Sequence, residues 1–234
     1  MGSPMLMAAE LEERKTPFPA PWERFRGYGV VASPFLSGHV LAFRRMTASS
    51  LGPAYTSVWH REPDGFWTMI VDVDPALSCP RFFSSAMYRV TQEEIELNWN
   101  GPRQLSVRVR AMGLQWGVRL VSDLVTRGMS WVGSLLPGPV WKNPGFRSAA
   151  GQLGGRALRV GKVSLSGLAP NGQRFMALPR ALYRIEATAA VFRGMDLGPT
   201  GPLEEQTRLG DFWIPNAGLF AVGEAGFESR KQFL

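Results

Sequence analysis

Three ionisable side chains in strand-like segments could transfer protons: His60, Asp72 and Glu224. His60 is the strongest acid–base candidate, because an unperturbed imidazole titrates near neutral pH. Glu224 stands in an apolar C-terminal segment. If it points inward, its carboxyl group can hold a proton in an apolar cavity and donate it in the hydration, isomerisation or cyclisation of an alkene-like substrate. If it points outward, it is a surface charge.

A predicted β-hairpin fixes the separation of His60 and Asp72. Its turn, Pro63-Asp64-Gly65, has the residues of a three-residue loop, with Gly in the left-handed position. The two side chains then share one mixed face, either the lumen of a barrel or a solvent face, but lie about 13 Å apart along the strands. Any partner of either must therefore come from another strand. The predicted register pairs Arg61 with Trp67, His60 with Thr68, and Trp59 with Met69.

The opposite face of this hairpin is apolar and aromatic, and a second hairpin adds another tryptophan. These side chains are the candidate ligand contacts: Tyr55, Trp59, Trp67, Met69 and Trp99. In the second hairpin, around Gly101-Pro102, the predicted register pairs Trp99 with Leu105 and Leu97 with Val107, and on the other face Glu96 with Arg108 and Glu94 with Arg110. Those charges are expected to face solvent.

Other reactive residue types are scarce. One Cys and two His among 234 residues exclude a Cys-rich zinc site, a disulfide framework or an iron–sulfur cluster within one chain. Cys79 stands in a connector with no activating neighbour, and His39 begins a strand. Asp72 and Asp74 flank Val73 at a strand end that leads into Pro75, a position where solvated aspartates are common. The sequence therefore predicts no metal site, and no cofactor is predicted either.

The elements that must position these residues are mainly short strands, as the 26 Gly and 18 Pro suggest. A change to three- and four-residue spacing predicts an amphipathic helix over 115–136, and a second short helix is predicted within 141–155. We predict a large antiparallel β-barrel or sandwich with a central helical insertion. The predicted organisation is an N-terminal arm over 1–35 followed by a single domain over 36–234, with the insertion at about 115–150. The predicted strands cover 39–46, 54–61, 66–73, 81–90, 93–100, 104–111, 159–168, 174–178, 182–188, 190–193 and part of 211–227.

The charge balance is basic, with 26 Lys and Arg against 19 Asp and Glu, a net charge of +7. The arginines are scattered in ones and twos, as at Arg44 and Arg45, which is typical of solvated strand faces rather than of nucleic-acid binding. The sequence shows no secretory signal and no apolar run long enough to span a bilayer, which predicts a cytoplasmic protein.

Gly65-Phe66-Trp67 matches the G-x-W motif of lipocalins, although here it follows a tight hairpin. With many short antiparallel strands and aromatic faces, the chain resembles the calycin group of barrels and, more loosely, lipocalin-like enzymes such as carotenoid hydratases. The resemblance covers about residues 30–228 and transfers no functional residue. It implies an apolar ligand cavity inside the barrel.

Two hypotheses follow. In the first, the barrel binds a small apolar molecule of the terpenoid, polyketide or lipid type, with or without cofactor-free acid–base chemistry by His60, Asp72 or Glu224. In the second, a packed barrel docks an anionic partner or a membrane surface through a basic face rich in tryptophan. The tryptophans of the predicted helical region are Trp116, Trp131 and Trp141.

Overall fold

The computed structural model describes residues 2–13, 22–135, 140 and 143–229. The strands are β1 (Trp22–Pro34), β2 (Val40–Ser49), β3 (Tyr55–Arg61), β4 (Trp67–Val71), β5 (Arg89–Gln92), β6 (Glu96–Gly101), β7 (Gln104–Val109), β8 (Leu114–Val121), β9 (Ser166–Leu168), β10 (Arg174–Phe192), β11 (Met195–Asp196), β12 (Arg208–Leu209), β13 (Phe212–Trp213) and β14 (Leu219–Glu228). The helices are α1 (Pro4–Glu13), α2 (Pro80–Phe83), α3 (Leu124–Leu135) and α4 (Pro144–Leu158).

One large sheet dominates the molecule, in the order β5-β4-β3-β2-β1-β14-β10-β8-β7-β6. Its neighbouring strands are antiparallel except β4 and β5, which are parallel. Ile70 of β4 and Val107 of β7 share one buried cluster although their strands lie far apart in this order. The sheet must therefore curl into a half-barrel, which confirms the predicted mainly β architecture. The calycin resemblance holds only at this level of a barrel-like sheet.

Each face of the sheet carries its own core. The inner-face core fills the concave side with side chains such as Phe43, Trp116 and Phe220, and α1 packs against it through Ala8. The outer-face core covers the convex side of β2, β3 and β4 and includes Trp59. Because side chains fill the concave side in this way, the apolar ligand cavity expected inside the barrel does not lie among these described residues.

Both predicted hairpin registers are confirmed. The β3–β4 pairs include His60 with Thr68 and Trp59 with Met69. The β6–β7 pairs include Trp99 with Leu105 and Glu96 with Arg108. The ion pair, however, is diagonal, since Arg110 donates to Glu96 at 2.8 Å. These registers were readable because apolar and polar residues alternate on both strands of each hairpin.

Several predicted element types were wrong. Residues 114–121 form strand β8 rather than the start of a helix, because their side chains alternate between buried and exposed, and the helix begins only at Leu124. The predicted strand over 81–90 is mostly α2 and a short 3₁₀ helix, Ser84–Ala86. Three predicted strands are the single strand β10, which is bulged between Pro179 and Ala181.

The N-terminal arm contributes to the sheet itself. Residues 22–34, assigned to the arm from the sequence, form β1, which pairs with both β2 and β14. Tyr28 of β1 donates a hydrogen bond to Glu12 of α1 at 3.1 Å. Among the described residues, no helix is both long and apolar enough to cross a membrane.

Candidate functional site

An apolar cavity of about 200 Å³ lies on the outer face of the sheet, where α4 and two loops cover strands β1, β10 and β14. We call it the outer cavity. Small residues form its floor, α3 and α4 form its roof, and loop residues form its side. Its lining includes Gly27, Gly29, Ala177, Ala221, Gly223 and Ala225 in the floor, Met129, Ala150, Gly151, Gly154 and Leu158 in the roof, and Val163, Leu165, Phe212, Trp213 and Pro215 at the side.

The space exists because both covering layers have short side chains. Helix α4 begins after Asn143, whose side chain accepts a hydrogen bond from the backbone N–H of Phe146 at 3.2 Å. It lies close to the chain beside it, since a Cβ on Gly151 would sit 2.5 Å from the carbonyl oxygen of Val163. Glycine and alanine in the floor leave unfilled the volume that larger residues would occupy.

Arg44 on β2 is the basic residue of the cavity wall. Its Nη1 donates to the carbonyl oxygens of Val30 at 2.6 Å and Phe43 at 3.0 Å. Its Nη2 donates to Val31 at 3.2 Å. The guanidinium carbon lies 5.0 Å from the ring centroid of Trp59, a cation–π distance. The remaining N–H donors of Arg44 have no partner among the described residues.

The charge of Arg44 has no counter-ion in the part of the chain that the structure describes. Burial lowers the pKa of Arg44 to about 10, so the guanidinium is still protonated at neutral pH. Its ionisable neighbours are Tyr55 and Cys79, whose side chains hydrogen-bond each other at 3.2 Å. Burial raises the pKa of both, so both are neutral at neutral pH. A desolvated cation is normally paired with an acid, whereas this one is held among the described residues by backbone carbonyls and by the face of the Trp59 ring.

Glu224 also lines the outer cavity, in an environment that differs from the predicted one. Its carboxylate accepts a hydrogen bond from Arg180 at 2.8 Å and lies 3.6 Å from Arg26. A carboxylate with two guanidinium neighbours fits neither alternative that the sequence left open for Glu224, an unpaired acid in an apolar cavity or a charge that faces solvent alone. Glu224 therefore has two positively charged neighbours, whereas Arg44 has no acidic one within the described ranges.

His60 lies on the inner face, fully buried, and its partner does come from another element. Nδ1 of His39 and Nε2 of His60 are 3.0 Å apart, and the two rings stack. The Phe192 ring centroid lies 4.3 Å from that of His60. Nδ1 of His60 has no hydrogen-bond partner in the described structure. Because an orphaned buried N–H is costly, we assign the ring proton of His60 to Nε2, which then donates to His39.

The histidine pair predicts a pH-dependent stability. Burial, and then the charges of His39 and Arg193, lower the pKa of His60 from 6.5 to about 4. Below the unfolded pKa the unfolded chain binds a proton that the folded chain does not, so folding should lose about 2 kcal/mol between about pH 7 and pH 5. Below the folded pKa the loss stops growing. Urea unfolding of the wild type and of His60→Leu at both pH values measures it.

The variant should lose less stability on acidification than the wild type by about that amount. It retains the contribution of His39, whose pKa burial also lowers. Equal losses in the two proteins would show that His60 is not held neutral by its surroundings.

Asp72 closes the open end of the β3–β4 hairpin. Its Oδ1 accepts a hydrogen bond from the backbone N–H of Thr56 at 2.7 Å, and its own N–H donates to the Thr56 carbonyl at 3.2 Å. Asp74 similarly accepts from the N–H of Ala76 at 2.8 Å. These contacts give both carboxylates a structural task, and the catalytic role suggested for Asp72 stays a prediction.

The predicted aromatic contacts divide between the two cores. Tyr55, Trp59, Trp67 and Met69 are buried in the outer-face core, and of these Trp59 reaches the site by packing under Arg44. Trp99 packs against the inner-face core, 6.1 Å from Tyr28 between ring centroids. The structure therefore does not gather these five side chains round one cavity.

A second cavity, of about 350 Å³, lies near the β5 edge of the sheet and is lined by Glu62, Thr68, Tyr88, Arg89, Glu93 and Arg193, among others. Two residues of each charge face it, so it has no evident preference for an anion or a cation. His60 lines neither cavity.

Arg44 is the candidate site residue that sequence reasoning misses, because scattered arginines are typical of solvated strand faces. The signal was present: Arg44 and Arg45 are adjacent in a strand, so they point to opposite faces. Apolar residues flank them on both faces, at Ala42, Phe43 and Met46. Arg45 forms an ion pair with Glu12 at 3.0 Å, whereas no acid of the described segments pairs with Arg44.

No protein-family model matches this chain, and no curated protein matches it. Among solved structures it is similar to acetoacetate decarboxylase from Legionella pneumophila, with a TM-score of 0.41 and 10% sequence identity over 92% of this chain and 87% of that one. A likeness at this level transfers no residue's role. The chemistry of the site therefore rests on its own residues.

Proposed function

We propose that this protein binds a small apolar molecule carrying one anionic group, such as a carboxylate, in the outer cavity. The observation that supports this most strongly is Arg44, a protonated guanidinium in an apolar wall with free donors and no counter-ion among the described residues. An entering carboxylate would supply the missing negative charge. Charge-assisted hydrogen bonds of this kind are about twice as strong as neutral ones.

The size of the cavity limits the ligand. About 200 Å³ is below the roughly 300–1,000 Å³ of pockets for drug-sized ligands. A medium-chain fatty acid or a single-ring acid suits this volume better than a large terpenoid or polyketide. The apolar body would lie over the glycine and alanine floor, with its acidic end at Arg44.

Acid–base chemistry at this site would involve Glu224. Of the three residues predicted to transfer protons, Glu224 is the one that lines the outer cavity. Because this carboxylate is paired with Arg180 and Arg26, it would act as the base that accepts a proton and then returns it in a cofactor-free cyclisation, hydration or isomerisation of the bound molecule. Trp59 would act indirectly, by holding the guanidinium of Arg44 in place.

Octanoate and 1-octanol test the proposal, since they share an apolar chain and differ in charge. Isothermal titration calorimetry should show wild-type binding of octanoate and, in Arg44→Met, a loss of about 10- to 100-fold, the value of one charge-assisted hydrogen bond. Binding of 1-octanol should change little. Met keeps an unbranched stem beside Trp59, and thermal unfolding checks that the variant folds.

Arg193→Met is the matched control, because it removes a guanidinium that lines the other cavity. Native mass spectrometry of protein purified from cells should also detect a small acidic molecule on the wild type and not on Arg44→Met. Equal octanoate affinity in Arg44→Met and the wild type would refute the role of Arg44. The absence of both octanoate binding and a retained ligand would refute the proposal.

A further inference from the structure

Helix α3 exposes apolar side chains and buries polar ones, the reverse of an ordinary surface helix. Leu124 is 85% exposed and Trp131 66% exposed, while Thr126 and Ser130 are buried. Val132 lies beside Trp131 on the exposed side, and Leu153 of the neighbouring helix α4 is 66% exposed. Together Leu124, Trp131, Val132 and Leu153 form what we call the apolar stripe.

Polar contacts fix α3 in this orientation. Ser130 accepts a hydrogen bond from the backbone N–H of Leu182 in β10 at 3.0 Å and donates to the carbonyl of Thr126 at 2.6 Å. At the start of the helix, Asp123 accepts from the N–H of Thr126 at 2.7 Å and forms an ion pair with Arg184. The outward position of the apolar stripe therefore follows from specific anchoring of the opposite face.

The charge around the apolar stripe is mainly positive, because Asp123 at the start of α3 is ion-paired with Arg184. Residues 124–185 contain nine Lys or Arg and no Asp or Glu, although the whole chain has a net charge of only +7. The remainder of the chain is thus slightly acidic. Exposed arginines lie on the same two helices, Arg127 on α3 and Arg156 on α4. A partner of this surface should be both apolar and anionic.

From this surface we infer that α3 and α4 dock the protein on an anionic lipid bilayer. Leucine, valine and tryptophan enter the boundary between headgroups and acyl chains, while arginines contact anionic headgroups. A second copy of this chain fits poorly, because two faces of the same positive charge would meet. A nucleic acid would pair with the arginines but would leave the apolar stripe without a partner.

Docking would also bring the outer cavity to the bilayer. Met129 of α3 and Gly154 and Leu158 of α4 line the roof of that cavity, so the helices that contact lipid would be those that cover the ligand. The docking inference does not depend on this relation, because it rests on exposed residues outside the cavity lining.

Co-sedimentation with lipid vesicles tests the inference. The 234-residue chain should bind vesicles of equal parts phosphatidylcholine and phosphatidylglycerol at least about tenfold more tightly than vesicles of phosphatidylcholine alone, and salt should weaken the binding. The double variant Leu124→Ser, Trp131→Ser should reduce the partition coefficient at least about tenfold. Arg127→Glu with Arg156→Glu should abolish the preference for phosphatidylglycerol.

Matched controls come from exposed residues elsewhere. Phe66 and Tyr88 are 53% and 74% exposed, and Phe66→Ser with Tyr88→Ser should bind vesicles like the wild type. Arg89→Glu with Arg108→Glu changes the net charge by the same amount as Arg127→Glu with Arg156→Glu, and this variant should keep the preference for phosphatidylglycerol. The inference would be overturned if the wild type bound both vesicle types equally or bound neither. It would also be overturned if the stripe variants and the control variants lost vesicle binding equally. Sedimentation velocity would overturn it as well if the wild type formed an oligomer and Leu124→Ser, Trp131→Ser did not.

Discussion

Ala150→Phe is expected to abolish ligand binding in the outer cavity while leaving the fold intact. Ala150 lies in α4 and lines the roof of the cavity, so a benzyl group in its place would occupy much of the roughly 200 Å³ available. The fold should survive because the new ring enters existing space; overpacking of a filled core would cost about 1–3 kcal/mol. Octanoate titration should show no saturable binding, and circular dichroism should be unchanged.

The neighbouring residue provides the control for this variant. Ala149 is on the same helix but is exposed, so Ala149→Phe adds the same ring without entering the cavity. It should bind octanoate with wild-type affinity. If Ala149→Phe and Ala150→Phe lose binding equally, the ring acts through the helix rather than through the cavity. If neither variant loses binding, the ligand does not occupy the outer cavity.

The positive charge and the apolar space of this site come from different parts of the chain. Arg44 is placed by β2, whereas the space depends on α4 packing across β10 and β14 about a hundred residues later in sequence. No short-range pattern links the two. Spacing along the chain could therefore suggest acid–base residues such as His60 and Glu224, but could not show which of them borders a cavity.

The parts of the fold that sequence predicted well are those fixed by local pairing. The turn at Gly65 and the alternation on both sides of it determine the β3–β4 register, because a slip by one residue would move Trp59 to the opposite face. The same reasoning required the partner of His60 to come from outside this hairpin, and that partner is His39, which directly precedes β2.

The parts that failed are those where two periodicities compete. In residues 114–121, Leu114, Trp116, Val118 and Leu120 alternate strictly, yet Leu120, Val121, Leu124 and Val125 also fit helical spacing. These residues form a strand because β8 pairs with both β7 and β10. Trp116 consequently lies in the inner-face core, Trp131 is exposed on α3, and Trp141 lies outside the described residues. A tryptophan-rich helical face is therefore not formed by these three residues as predicted.

Gly27→Ala is expected to lower the free energy of unfolding by more than about 4 kcal/mol or to prevent folding, a loss that usually reflects a backbone or core conflict. The β1–β2 register shifts between Arg26 and Gly27, and a Cβ on Gly27 would overlap the carbonyl oxygen of Arg45. That atom is backbone of the neighbouring central strand, so relief requires β1 and β2 to separate. Urea unfolding measures the loss.

Gly117→Ala is the matched control, because a Cβ there would lie 4.0 Å from its nearest neighbour, the carbonyl oxygen of Ala189. Alanine in β8 should be neutral or should stabilise by up to about 1 kcal/mol through a less flexible unfolded chain. If both variants unfold at the wild-type urea concentration, β1 does not cross β2 as closely as described. Gly27 also lines the outer cavity, so the bare backbone that permits this close crossing leaves part of the cavity floor open.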